Sequence, residues 1–187
     1  LMHWAFAHRQ AEDGSSVYLL LTTRQIEQQA RTDSAWEQGV IAGAYWLREP
    51  APGAKAAIAY SGAVAPEALA AWEQLQDDLH GLGLLAVTSP DRLHRDWSAA
   101  RAARWTGGAR KQSHIETLLG QLAPDAGLVT VLDGSPAALS WFGGVHGHRV
   151  SPLGTDRFGQ TGDPPDLYRT YRLDAEAVID AMAELFL

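Results

Sequence analysis

Ala56-Ala57-Ile58-Ala59-Tyr60, followed by Ser61-Gly62 and then Pro66, sets the plan of the chain, because the same order returns further on. A run of strand length without polar alternation suits a strand buried on both faces of a parallel sheet. Pro66 then opens a helical stretch in which Leu69, Trp72, Leu75 and Leu79 share one face, while Glu73, Gln74, Asp77 and Asp78 lie mostly away from it. Leu84-Leu85-Ala86-Val87-Thr88 repeats the run, and Ser89-Pro90-Asp91 repeats the helix start. Leu128-Val129-Thr130-Val131-Leu132 with Ser135-Pro136, and later Asp163-Pro164, continue the theme. A Ser or Asp before Pro fits a helix start, since the side-chain oxygen accepts from an orphan N–H and Pro fills a position whose N–H needs no partner. Strands alternating with helices at this spacing imply parallel strands joined by right-handed crossovers.

Working outward, Trp36 to Arg48 reads as a short helix and then a strand at Ala44-Tyr45-Trp46-Leu47, because Gly39 and Gly43 weaken a helix interior and Tyr-Trp favours a strand. His148 to Leu153 reads as an edge strand, since Pro152 cannot donate to a central ladder. Asp174 caps a last helix with an apolar stripe of Val178, Ile179, Met182, Leu185 and Phe186. At the other end, Leu1 to His8 reads as the end of an amphipathic helix and Glu12 to Ser16 as a turn. Val17-Tyr18-Leu19-Leu20-Leu21-Thr22 then has the look of a strand buried on both faces. One helix and one strand do not make a core, so residues 1–24 are expected to be the tail of an upstream domain. Polar residues 25–34 are the linker, and residues 35–187 the main domain. The expected fold is α/β: a three-layer sandwich on a mostly parallel sheet, preceded by a helix-strand tail.

Composition narrows the function. The chain has 187 residues, no cysteine, and 15 Lys+Arg against 22 Asp+Glu, for a formal net charge of −7. Without cysteine there is no disulfide framework, thiolate nucleophile or cysteine metal cluster. An acidic balance argues against a nucleic-acid partner, whose binding surfaces are usually basic. No apolar run approaches the roughly 20 residues of a membrane span, and the start lacks the basic-then-apolar order of a signal peptide. A cytoplasmic globular protein is expected, with no nucleic-acid and no membrane partner.

The catalytic motifs are mostly negative. Gly81-Leu82-Gly83 precedes a strand instead of following one, so it is not a dinucleotide fingerprint, and no Gly-Lys-Ser/Thr phosphate loop occurs. Ser61 follows a strand as a nucleophile elbow would, but Ala59 and Ala63 stand where the elbow has glycine, which makes an ordinary strand-to-helix turn the better reading. His146 and His148 would share a face of a strand, with His114 as a third nitrogen, yet no carboxylate stands at metal-site spacing beside them. A loop carrying surface histidines is the plainer account. Trp72, Trp97, Trp105 and Trp141 are expected in the core or in an interface, and the residues alone show no self-contained active site.

Two stretches resemble a known family. Thr22-Thr23-Arg24-Gln25-Ile26-Glu27-Gln28-Gln29-Ala30-Arg31-Thr32, running on to Gly43-Ala44-Tyr45-Trp46-Leu47, resembles the junction between the last two domains of transketolases. There a strand ends in Ser/Thr-Arg-Gln, a linker follows, and a Gly-Gly-Tyr-like segment starts the final domain. Leu153-Gly154-Thr155-Asp156-Arg157-Phe158-Gly159-Gln160-Thr161-Gly162, with Asp166-Leu167-Tyr168 and Leu173-Asp174-Ala175, is similar to the carboxy-terminal signature of homodimeric 2-oxoacid dehydrogenase decarboxylating components of the pyruvate dehydrogenase type.

The resemblance implies that residues 1–24 end a pyrimidine-binding domain and that the rest is a transketolase carboxy-terminal domain. It also implies thiamine diphosphate and magnesium in the parent enzyme, held by upstream domains: Gly-Asp-Gly does not occur here, and Leu132-Asp133-Gly134 has only its last two letters. This stretch alone is then expected to bind no cofactor and to be inactive, serving to pack on the catalytic domains and a homodimer partner, with a lipoyl acyltransferase component as a further contact. Arg24 is the one residue expected near a substrate, since the matching transketolase Arg contacts a substrate phosphate. A local ion pair with Glu27 is its structural alternative. Arg24 suits transketolase proper and the carboxy-terminal signature suits the 2-oxoacid branch, which is the reading preferred. A stand-alone flavodoxin-like binding module is the remaining alternative.

Overall fold

The computed structural model describes residues 1–30, 34–107, 111–157, 159 and 161–187. Arg31, Thr32, Phe158 and Gln160, which belong to the two family-like stretches, lie outside the described residues. The central element is a five-stranded sheet of order β1-β3-β2-β4-β5, made of β1 (Ala44–Arg48), β2 (Ala54–Ser61), β3 (Gly83–Val87), β4 (Leu122–Leu132) and β5 (Arg149–Leu153). β2 is central and pairs parallel with β3 and β4, and β4 pairs parallel with β5. β1 runs antiparallel beside β3. The physical reason is the length of the connection. Residues 49–53 alone separate β1 from β2, whereas a parallel return needs a crossover of a dozen residues or more.

Both faces of the sheet are covered, as strands apolar on both sides require. Ala57, Ala59, Leu85, Leu128 and Leu132 face one layer, formed by α4 (Pro90–Trp105), α5 (His114–Leu119), α6 (Ala137–Ser140) and α7 (Gly143–His146). Ala56, Ile58, Leu84, Val129 and Val131 face the other, formed by α3 (Ala65–Leu75), α8 (Pro164–Thr170) and α9 (Ala175–Glu184). The α/β three-layer sandwich expected from the sequence is present. The short helix before β1 is α2 (Trp36–Ala42), closed by Gly43 at φ 118°. A Cβ there would lie 2.8 Å from the Ser89 carbonyl oxygen and 2.9 Å from Leu93, so glycine serves both the left-handed turn and the close approach of α4.

Local expectations fare unevenly. Asp174 caps α9 by accepting from the Ala177 N–H at 3.0 Å, and Val178 and Met182 are buried while Phe186 is 43% exposed. Ser89 stands before α4, but its hydroxyl donates to the Asp91 carboxylate at 2.7 Å and caps no backbone N–H; Asp163 makes no side-chain cap either. α3 presses Ala68 and Ala71 onto the sheet, with Leu69, Trp72, Leu75 and Leu79 only partly buried at the margins.

The amino-terminal region differs most. The helix is there as α1 (Met2–Gln10), with no residue buried. Val17–Thr22 is not a strand: Tyr18, Leu20 and Leu21 are 86%, 83% and 80% exposed, and no sheet neighbour lies beside them among the described residues. An apolar run becomes a buried strand only where other strands flank it, and both edges of this sheet are built from β1 and β5.

Candidate functional site

In an open α/β sheet, ligands gather outside the carboxyl ends of the strands, where neighbouring connections leave to opposite faces. That point lies between β2 and β4. The chain leaves β2 through the turn Gly62–Val64 into α3 on one face, and leaves β4 through Asp133 toward α6 on the other. Arg24 reaches this crevice. Its guanidinium donates to the Ala63 carbonyl at 3.2 Å and to both oxygens of Glu67, at 3.0 and 2.7 Å, in a bidentate pair. Glu67 sits in the first turn of α3, where the helix dipole favours a carboxylate.

The same guanidinium lies 5.3 Å from the centre of the Tyr168 ring, on α8. The Tyr168 hydroxyl donates to Asp133 at 3.3 Å. Burial, reinforced by the Asp133 carboxylate, pushes the Tyr168 phenol above its ordinary range. Hydrogen bonding to Glu67 holds the Arg24 guanidinium protonated even more firmly than usual. A cavity of about 400 Å³ opens here, bordered by Thr22, Thr23, Asp133, Thr155 and Tyr168 above an apolar floor of Leu167 and Leu173.

Of the residues singled out in the sequence, Arg24 borders this crevice, and the carboxylate it pairs with is Glu67. Glu27, the local alternative, is not the residue it pairs with. Glu67, Tyr168 and Asp133 come from three distant elements, and only Asp133, standing directly past an apolar run, carried a positional signal.

The other candidates resolve as structure. Ser61 donates to the Val87 carbonyl at 3.0 Å and ties β2 to β3. A ring nitrogen of His114 bonds to the Ala44 carbonyl and one of His146 to the Glu116 carbonyl, each at 2.8 Å. His146 ends α7 instead of sharing a strand with His148, although the two rings lie 5.9 Å apart. Trp97 is buried and stacks on Trp141, but Trp105 is 78% exposed and carries the Arg101 guanidinium on its face.

Among the described residues no three His, Asp or Glu side chains converge as a metal site. Asp133, in the sequence nearest to a magnesium motif, belongs to no such cluster, so the described residues offer no ligand set for a diphosphate-bound metal.

No protein-family model matches the chain, and no curated protein matches it. Solved structures do. The chain is similar to transketolase from Leishmania mexicana, with a TM-score of 0.55 and 20% identity over 79% of this chain and 18% of that one. Transketolase from Campylobacter jejuni matches with a TM-score of 0.55 and 16% identity over 76% of this chain and 18% of that one. The fold is transketolase-like. Its mostly parallel five-stranded sheet is consistent with the carboxy-terminal type of domain, and the chain spans about a fifth of the length of those two transketolases. A split-gene transketolase described as an inactive β4 tetramer is also similar, with a TM-score of 0.52 and 18% identity over 77% of this chain and 42% of that one.

Proposed function

We propose that the chain is the carboxy-terminal domain of a thiamine-diphosphate-dependent enzyme of the 2-oxoacid dehydrogenase type, which decarboxylates a 2-oxoacid and passes the acyl group to a lipoyl partner. The observation that carries this reading is the coincidence of a transketolase-like fold with the carboxy-terminal signature at matching elements. Leu153-Gly154-Thr155 ends β5 against the β4–α6 turn, Asp166-Leu167-Tyr168 lies on α8, and Asp174 caps α9. The domain packs on upstream catalytic domains, which hold thiamine diphosphate and magnesium, and takes part in a homodimer. A lipoyl acyltransferase is the proposed further partner, and the cytoplasm the proposed location. The inactive tetramer of a split-gene transketolase supports assembly without activity for such a piece.

Transketolase proper is the second reading, favoured by the position of Arg24 at the strand carboxyl ends, where a substrate phosphate could meet it. Against this stands the bidentate pair with Glu67, which already occupies the guanidinium. The test is an assay of the polypeptide containing this chain, with thiamine diphosphate and magnesium added. Decarboxylation of a 2-oxoacid, read by reduction of an artificial acceptor, is the expected result. Ketol transfer between sugar phosphates without 2-oxoacid turnover would move the assignment to transketolase, and the absence of both would overturn it.

A further inference from the structure

We propose that the crevice between β2 and β4 binds a small uncharged ligand carrying vicinal hydroxyls, a sugar or the ribose of a nucleoside, and that it discriminates against phosphate. The proposal is independent of which reaction the parent polypeptide performs.

Three observations meet at this place. The first is position. β2 leads into α3 on one face and neighbouring β4 leads toward α6 on the other, so the crevice is a topological switch point of the sheet. The second is volume and lining. About 400 Å³ is within the range of small-molecule sites, and an apolar floor with a few polar groups at the rim is their usual make-up. Leu167 and Pro164 offer an apolar surface to the carbon skeleton of a sugar, while Thr22, Thr23 and Thr155 offer hydroxyls that can donate or accept.

The third observation is charge, and it decides the class of ligand. Arg24 would attract an anion, but both its outer nitrogens are held by Glu67, so the pair presents no net charge to the crevice. The Asp133 carboxylate accepts one hydrogen bond among the described residues, from Tyr168 at 3.3 Å. A carboxylate has about four acceptor positions. Asp133 therefore has acceptor capacity left over at the mouth of the cavity, which suits paired hydroxyl donors and repels phosphate. The backbone fixes this arrangement: the Thr155 N–H donates to the Gly134 carbonyl at 2.8 Å, which holds the end of β5 beside the Asp133 turn.

The experiment is a titration of the 187-residue chain, followed by amide chemical shifts, with ribose, adenosine and ribose 5-phosphate as separate probes. Shifts confined to residues around Asp133, Thr155 and Tyr168 are expected with ribose, adenosine or both; ribose alone marks a sugar site and adenosine alone a nucleoside site. Ribose 5-phosphate is expected to bind more weakly than ribose. Asp133→Asn should weaken binding about tenfold, the size of one lost charge-assisted hydrogen bond. Asp133 is exposed, so its loss leaves the core untouched, and Thr155→Val provides a second variant with the same expected direction. Glu67→Gln, which releases Arg24 from its counter-charge, should shift the preference toward ribose 5-phosphate. No localised shifts at 10-millimolar order of ribose and adenosine would overturn the proposal. So would tighter binding of ribose 5-phosphate than of ribose by the unsubstituted chain, or unchanged affinity in Asp133→Asn.

Discussion

Arg24 fastens the segment before the main domain through one carboxylate, one carbonyl and one aromatic face, all on other elements. The pair is half-buried, with the side chains 32% and 15% exposed, and a bidentate pair of this kind contributes about 1–2 kcal/mol, between an exposed ion pair and a buried charged hydrogen bond. Arg24→Ala should therefore release residues 24–30 to limited proteolysis well before the rest of the chain. The global Tm should fall by no more than about 8 °C, the upper limit for a loss of about 1–2 kcal/mol in a chain of this length. Proteolysis at an unchanged rate would refute this.

His148 offers a second residue-scale prediction. It is 5% exposed, neither ring nitrogen makes a hydrogen bond of ordinary geometry among the described residues, and burial pushes its pKa down, with the Leu119 backbone offsetting only part of that. The unfolded chain then binds a proton more readily than the folded one below the ordinary histidine pKa of about 6.5, so stability falls on acidification through that point. The slope is at most one proton, about 1.4 kcal/mol per pH unit. Thermal melts from pH 7.5 to 5.5 should show the loss, and His148→Leu should flatten it in that window. Glu116 acts lower down. Burial opposes its charge, yet hydrogen bonds from Arg104 and Ser113 hold its pKa below the carboxylate range, so its contribution is lost only as pH falls through the acid region.

At the scale of elements, Gly154 is where the family-like signature meets packing. A Cβ there would lie 2.5 Å from the Gly134 carbonyl oxygen and 2.7 Å from the Pro136 nitrogen, both backbone atoms that cannot swing aside. Gly154→Ala should cost about 1–3 kcal/mol, as overpacking does, and lower Tm accordingly; a Tm within error of the parent would show that the turn yields. The strands are legible because β2, β3 and the second half of β4 carry the runs Ala56–Tyr60, Leu84–Val87 and Leu128–Leu132, in which Thr130 is the one polar residue. β4 starts at Leu122, not Leu128, because Ala123-Pro124-Asp125 carries no run to read. α5 opens on a complete capping box, Ser113 and Glu116 three residues apart, which is a signal the sequence carries without any apolar run. Val17–Thr22 is the opposite case: its own pattern is strand-like, but pairing is a property of neighbours, and among the described residues it has none in the sheet. At the crevice the family resemblance points to Arg24 alone, while Glu67, Tyr168 and Asp133 become partners only when three connections converge.

For the whole molecule, Phe6, Tyr18, Leu20 and Leu21 leave an apolar stretch in water. Such surfaces usually mark interfaces. Sedimentation of the chain should show concentration-dependent association, and Leu20→Lys with Leu21→Lys should suppress it without changing Tm; a strict monomer would contradict this. Calorimetric titration with thiamine diphosphate and magnesium should give no heat at micromolar affinity, since the described acidic and histidine side chains do not converge. No described helix is long and apolar enough to cross a membrane.

The strand order also governs when the domain can form. Ile58 in the central strand pairs with Leu84 on one side and with Val129 on the other, so β2 is complete only after β4 exists. Closing such a long loop before its contacts can repay the lost entropy slows folding. During synthesis, β2, β3 and the helices between them must wait on the ribosome until residue 132 has cleared the exit tunnel. A nascent chain stalled before that point should be far more open to protease than one stalled beyond the end of β5.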